Sequence, residues 1–202
     1  SGAGATATRD ATLNVSGTIN IDASNLTIGN YSNMSTLETA GGVVTDNQLA
    51  TLSGNVNIDA GSVWMAGGQI TGNAVDIDAS SVGFSDGAVI DATTLVINVS
   101  GSVYTSGSGT SIDVGAVYIN AGSDIDLSNA MLTVGSGNIA GVVGDEVTVN
   151  GLRAVGIGPD SDDPNAMFVS ATGTVTIGDM DFNGTYLWIQ ANSVGDVAGT
   201  VT

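Results

Sequence analysis

The chain alternates apolar and polar residues with a period of two, and it does so in short bursts. One phrase recurs: two apolar residues flanking a polar one, then Asp, Asn or Gln, then a small or apolar residue. It reads Ile19-Asn20-Ile21-Asp22-Ala23, Val56-Asn57-Ile58-Asp59-Ala60, Val75-Asp76-Ile77-Asp78-Ala79, Leu95-Val96-Ile97-Asn98-Val99, Val117-Tyr118-Ile119-Asn120-Ala121 and Leu187-Trp188-Ile189-Gln190-Ala191. Weaker echoes are Val147-Thr148-Val149-Asn150 and Val175-Thr176-Ile177-Gly178. Alternation of this kind is strand chemistry, because successive side chains on a strand point to opposite faces. Gly, Ser, Asn and Asp punctuate the phrases and end the strands. The one helix-tolerant stretch, Met34 to Leu52, is interrupted by Gly41-Gly42.

The phrases also repeat at a larger period. Counted at the central Ile, positions 58, 77, 97 and 119 are separated by 19, 20 and 22 residues. The step from Ile21 to Ile58 is 37, close to two units, and the steps through Val149 and Ile177 are irregular. A period near twenty with two or three short strands per unit predicts a parallel β-helix, a β-solenoid whose coils stack like residue over like. Within one coil, Leu95 to Val99, Val103 to Thr105 and Ser111 to Val114 read as three strands. The competing all-β reading is an antiparallel sandwich or jelly roll. In the solenoid, Val56, Ile58 and Ala60, then Val75, Ile77 and Ala79, then Leu95, Ile97 and Val99 point inward. Trp64, Phe84 and Tyr104, spaced by 20 and 20, would stack as core aromatics or as a sugar-binding strip. Residues 1–12 read as an N-terminal arm, flexible or strand-donating, and 13–202 as one solenoid domain with irregular excursions near 30–52 and 135–170.

The phrases TINIDASNLTIGN, VNIDAGSVWMAGG, VDIDASSVGFSDG and VYINAGSDIDLSN resemble the filamentous-haemagglutinin-type repeats of large secreted adhesins. The resemblance covers residues 13–135 and, less clearly, 147–202. It implies a right-handed β-helix, an extracellular or cell-surface location and a structural or adhesive role, and it carries over no catalytic residue.

Composition narrows the chemistry. The 202 residues include 20 Asp+Glu against two basic residues, Arg9 and Arg153, with no His, Lys or Cys, for a formal charge of -18. Without Cys there is no disulfide and no thiolate chemistry. Without His and Lys there is no Ser-His triad, Schiff base or P-loop lysine. Phosphate backbones need basic partners, so nucleic acid is not an expected ligand. No apolar run is long enough for a transmembrane helix, so no membrane insertion is expected. The 42 % hydrophobic content with regular Val and Ile argues against disorder. The chain begins at Ser1 rather than Met, consistent with a removed leader or with trimming.

Four groups of residues could carry function. The first is a row at one phase of the repeat: Asp22, Asp59, Asp78, Asn98, Asn120, Asn150 and Gln190. Asp59 and Asp78 should be neighbours, and two carboxylates about 5 Å apart repel by about 1 kcal/mol in water. A solvated polar face and a Ca²⁺ site both fit this row. The second is a set of i, i+2 carboxylate pairs, Asp76/Asp78, Asp124/Asp126 and Asp179/Asp181. Each shares one strand face, which suits hard cations and also overlaps the spacing of inverting glycosidases. The third is the loop run Asp160-Ser161-Asp162-Asp163-Pro164-Asn165, acidic but lacking the Gly and closing Glu of an EF-hand. The fourth is a drift on the outward face from Asn57 and Asp76 to Val96, Tyr118 and Trp188, which suggests a covered surface. Thr6, Thr8 and Arg9 in the arm could add a strand to a neighbour. Sequons occur at Asn14, Asn25, Asn30, Asn33, Asn98 and Asn183.

These features predict a non-enzymatic extracellular structural protein. It would be a self-assembling unit of a surface fibre, sheet or adhesin, associating through strand edges and solenoid ends, with Ca²⁺ as the only expected cofactor and further copies of itself as partner. The alternatives are a carbohydrate-binding adhesin module, which would depend on Trp64 or Trp188, and a polysaccharide hydrolase using a carboxylate pair.

Overall fold

The computed structural model describes residues 12–29, 37–39, 42–44, 51–135, 139–144, 147–150, 153–154, 166–182 and 186–201. These residues contain strands and no helix. The strands are β1 Thr12–Gly29, β2 Leu37–Thr39, β3 Gly42–Val44, β4 Thr51–Ala66, β5 Gln69–Ser85, β6 Val89–Val99, β7 Val103–Thr105, β8 Thr110–Ala121 and β9 Ile125–Leu127. They continue as β10 Ala130–Val134, β11 Ile139–Gly144, β12 Val147–Asn150, β13 Arg153–Ala154, β14 Ala166–Ala171, β15 Thr174–Phe182, β16 Tyr186–Gln190 and β17 Ser193–Val201. Apart from β2 and β3, the strand pairings among the described residues are parallel, which rules out the antiparallel sandwich. The chain is a β-solenoid with coils of about twenty residues.

Each coil crosses three sheet faces. The long strands β1, β4 and β5 run across all three, with register shifts at Asn14/Thr18 and Ser53/Val56 marking the bend from the first face to the second. The second face carries the recurring phrase, and its ladder runs β1-β4-β5-β6-β8-β11-β14-β16. On that ladder Ile21, Ile58, Ile77, Ile97, Ile119, Val142, Val169 and Ile189 are successive register partners.

That register corrects three readings. Ile21 pairs directly with Ile58, so the step of 37 is one coil plus an insertion, not two coils. The insertion's described part is an antiparallel pair, β2 with β3. The echoes at Val147–Asn150 and Val175–Gly178 lie on the third face, where β9, β12 and β15 pair. Asn150 therefore leaves the Asp/Asn row. The second-face strands of those coils are β11 and β14, which lack the Asp-bearing phrase. Alternation alone marks a strand without saying which face of the coil it occupies.

The core is the inward column of each face. Val56, Ile58, Val75, Ile77, Leu95, Ile97 and Ile119 are buried, as are Val63, Val82, Val103 and Ile125 on the third face. Ala79 is only partly buried. Burying branched side chains contributes about 1.5–3 kcal/mol each, and stacking like over like repeats that gain at every coil. Among the described residues three buried polar side chains, Ser85, Thr105 and Thr110, break the pattern. Thr110 is buried, and its Oγ1 has no hydrogen-bond partner, with Ala130 as its register partner in the next coil. Thr110→Val keeps the shape and removes the unpaired hydroxyl. It should raise the unfolding free energy by about 1 kcal/mol, measured as a higher urea midpoint. An unchanged or lower midpoint would show that the hydroxyl is satisfied.

Candidate functional site

Six of the residues expected to carry function, Asp59, Asp76, Asp78, Val96, Tyr118 and Trp188, lie on the solvent side of the second face, which is arranged as two columns along the stack. One column runs Asn20, Asn57, Asp76, Val96, Tyr118, Gly141, Phe168, Trp188 in successive register. The other runs Asp22, Asp59, Asp78, Asn98, Asn120, Val143, Ser170, Gln190. Asp59 and Asp78 are direct neighbours, as the repeat implies, and Asp22 extends the run by one coil.

Hydrogen bonds run along these columns, parallel to the stack. Asn57 Nδ2 donates to Asn20 Oδ1 at 3.1 Å, and Asn98 Nδ2 donates to Asp78 Oδ1 at 3.2 Å. The amide of Asn98 thus meets the end of the carboxylate run. Asp59, Asp78, Asn98 and Asn120, with Ser80 and Ser100 at the neighbouring corner, line an open groove of about 370 Å³.

Asp76 and Asp78 share this face, and the pairing has an electrostatic consequence. Desolvation, and secondly the negative charge of Asp78, raise the Asp76 carboxyl above its ordinary value of 3.8. The folded state therefore holds this proton more tightly than the unfolded chain does. Its contribution to stability is fully present below the ordinary value and is lost as pH rises through the raised one. Asp76→Asn should raise the melting midpoint at neutral pH and give no gain in acid, where Asp76 is already protonated. A gain that is the same at both pH values would show that charge is not the cause.

The other acidic groups fare differently. Asp126 Oδ1 accepts the Ser128 backbone N–H at 2.9 Å, and Thr105 Oγ1 donates to the Asp126 carbonyl at 3.1 Å. That carboxylate builds a corner of the coil. Asp124 precedes β9, and its carbonyl accepts the Val103 N–H. Asp179 and Asp181 lie in β15, where Asp181 is the register partner of Arg153. Asp160, Asp162 and Asp163, and Thr6, Thr8 and Arg9, lie outside the described residues. Among the described residues no group of three or more acidic side chains converges on one metal position. The carboxylates of a column are spaced along the stack rather than around a point.

The aromatic stack divides into two. Trp64, Gly83 and Tyr104 are successive register partners on the third face, whereas Phe84 pairs with Met65 and Thr105 and is fully buried. An offset of one residue on a strand sends the side chain to the opposite face. The Trp64 and Tyr104 rings close over Gly83, with centroids 5.4 Å apart and planes tilted by 42°. A Cβ on Gly83 would come within 2.3 Å of the Trp64 ring, so only glycine allows this closure. The two rings thus pack on each other, and Tyr104 keeps 39 % exposure.

Sequence reading missed one acidic pair. Asp91 and Asp113 are register partners on the first face, in a column with Thr71 and Thr133. With Asn73 and Thr93 they line a groove of about 660 Å³. The signal was present: Ile90-Asp91-Ala92 and Ile112-Asp113-Val114 are 22 residues apart, the same step as Ile97 to Ile119.

No family model, no curated protein and no solved structure matches this chain.

Proposed function

We propose that this chain is a structural β-solenoid of an extracellular or cell-surface assembly, a unit of a fibre, sheet or adhesin that associates with copies of itself. The observation that supports this reading is the separation of core from surface along one continuous ladder. From β1 to β16 the inward column through Ile58 stays Ile or Val, while one outward column passes from Asn20, Asn57 and Asp76 to Val96, Tyr118 and Trp188 and the other from Asp22, Asp59 and Asp78 to Asn98, Asn120 and Gln190. Such a scaffold can vary its contact surface coil by coil at no cost to the core. Tyr118 is 42 % exposed and Trp188 64 % exposed, which is unusual placement for large rings on a flat sheet. Sedimentation velocity across a concentration series, with negative-stain micrographs of the same samples, tests the reading. Species larger than the monomer should grow with concentration; monomers alone at every concentration overturn it.

Ca²⁺ enters this proposal as a counter-ion over Asp59, Asp76 and Asp78. Millimolar Ca²⁺ should raise the melting midpoint more than NaCl of equal ionic strength, and chelator should reverse the difference. Equal effects of the two salts would reduce it to simple screening. The exposure of Trp188 also favours a second reading, a glycan-binding module. That reading requires saturable binding on a glycan array, lost in Trp188→Ala.

A further inference from the structure

The second face is divided by charge as well as by shape. In β1, β4 and β5 its alternate positions 18/20/22, 55/57/59 and 74/76/78 include four carboxylates, Asp22, Asp59, Asp76 and Asp78. From β6 onward the corresponding positions 94/96/98, 116/118/120, 139/141/143, 166/168/170 and 186/188/190 hold no charged residue. The two parts belong to one continuous ladder, so the boundary is a change of side chains on an unbroken sheet. The Tyr118 ring lies over Gly141, where an added Cβ would come within 2.9 Å of it.

We infer that this uncharged half of the second face is where two copies of the chain meet, sheet against sheet. The inference rests on the self-association proposed above and names its surface and its geometry. A chain of charge -18 repels its copies wherever carboxylates would face each other. This half-face is a place where they would not. A two-fold axis lying in the interface, perpendicular to the stack and through the centre of this half-face, lays uncharged positions on uncharged positions. Because the acidic half continues the same sheet in one direction only, that axis sends the two acidic halves to opposite ends. Flat sheets pack about 10 Å apart, and the exposed Tyr118 and Trp188 rings are large enough to fill such a layer.

The dimensions set the strength. Five strand levels at about 4.8 Å and five residues at about 3.3 Å give a patch of about 400 Å² per copy. Two copies bury about 800 Å², below the roughly 1,200–2,000 Å² of a stable complex. The dimer is therefore weak and concentration-dependent. Added salt screens the net charge and strengthens it.

Sedimentation equilibrium of the full chain and of Tyr118→Asp, Trp188→Ser and Asn57→Asp tests this. Wild type should dimerise, more tightly in high salt. Tyr118→Asp and Trp188→Ser should each weaken dimerisation tenfold or more, with unchanged circular dichroism. Asn57→Asp, on the acidic half of the same face, should weaken it far less. If both patch variants dimerise like wild type, this surface is wrong while the structural reading stands. If wild type is monomeric at every concentration and salt level, both fall.

Discussion

Phe84→Ala should cost about 3–5 kcal/mol of stability. Among the described residues Phe84 is the largest fully buried side chain, held in register between Met65 of the coil before and Thr105 of the coil after. Truncation leaves a cavity that cannot collapse readily, because hydrogen-bonded ladders on both sides fix the coil spacing at about 4.8 Å. The Phe84 carbonyl also accepts the Ser106 N–H at 2.8 Å, which ties the strand to the next corner. Urea unfolding followed by tryptophan fluorescence measures the loss. Since each coil contacts only its neighbours, the damage should be local. Amide exchange should accelerate first in β5 and β7 and last in β16. A loss under about 1 kcal/mol would mean that the interior at this level is not closed.

Gly72→Ala should cost about 1–3 kcal/mol, for a different reason. A Cβ at this corner would sit 1.9 Å from the backbone oxygen of Gly54 in the preceding coil. A side chain can swing aside, but a carbonyl held in a stacked coil cannot. The corner must open, and the first and second faces lose their common register there. Gly17→Ala is the control, since a Cβ at Gly17 meets nothing within 4 Å. It should stay within about 0.5 kcal/mol of wild type. Comparable melting midpoints for the two variants would show that the corner is loose and that glycine is present there for another reason.

Much of the architecture was readable in advance. The phrase around Ile58, Ile77, Ile97 and Ile119 reveals strand, period and inward face at once, because alternation and a twenty-residue repeat agree there. The adjacency of Asp59 and Asp78 follows from the same arithmetic. Reading failed where two strands could satisfy one pattern. Val147–Asn150 has the right alternation, yet belongs to the third face. Phe84 has the right spacing from Trp64 and Tyr104, yet lies one residue away in register and points inward. The pair Asp91 and Asp113 escaped notice because its flanking residues are less distinctive, although its spacing is regular.

The alternating pattern and its repeat were enough to establish that the chain is all-β, that it coils with a period near twenty, and which residues line much of its interior. Those properties depend on local alternation and on burial, which a linear pattern records directly. Which strands share a face, that Ile21 meets Ile58 across an insertion, that Phe84 lies apart from Trp64 and Tyr104, and that Asp91 and Asp113 pair came from the fold. These depend on register between coils. Register is set by where each corner turns, and insertions of different length between coils shift the sequence count without shifting the stack.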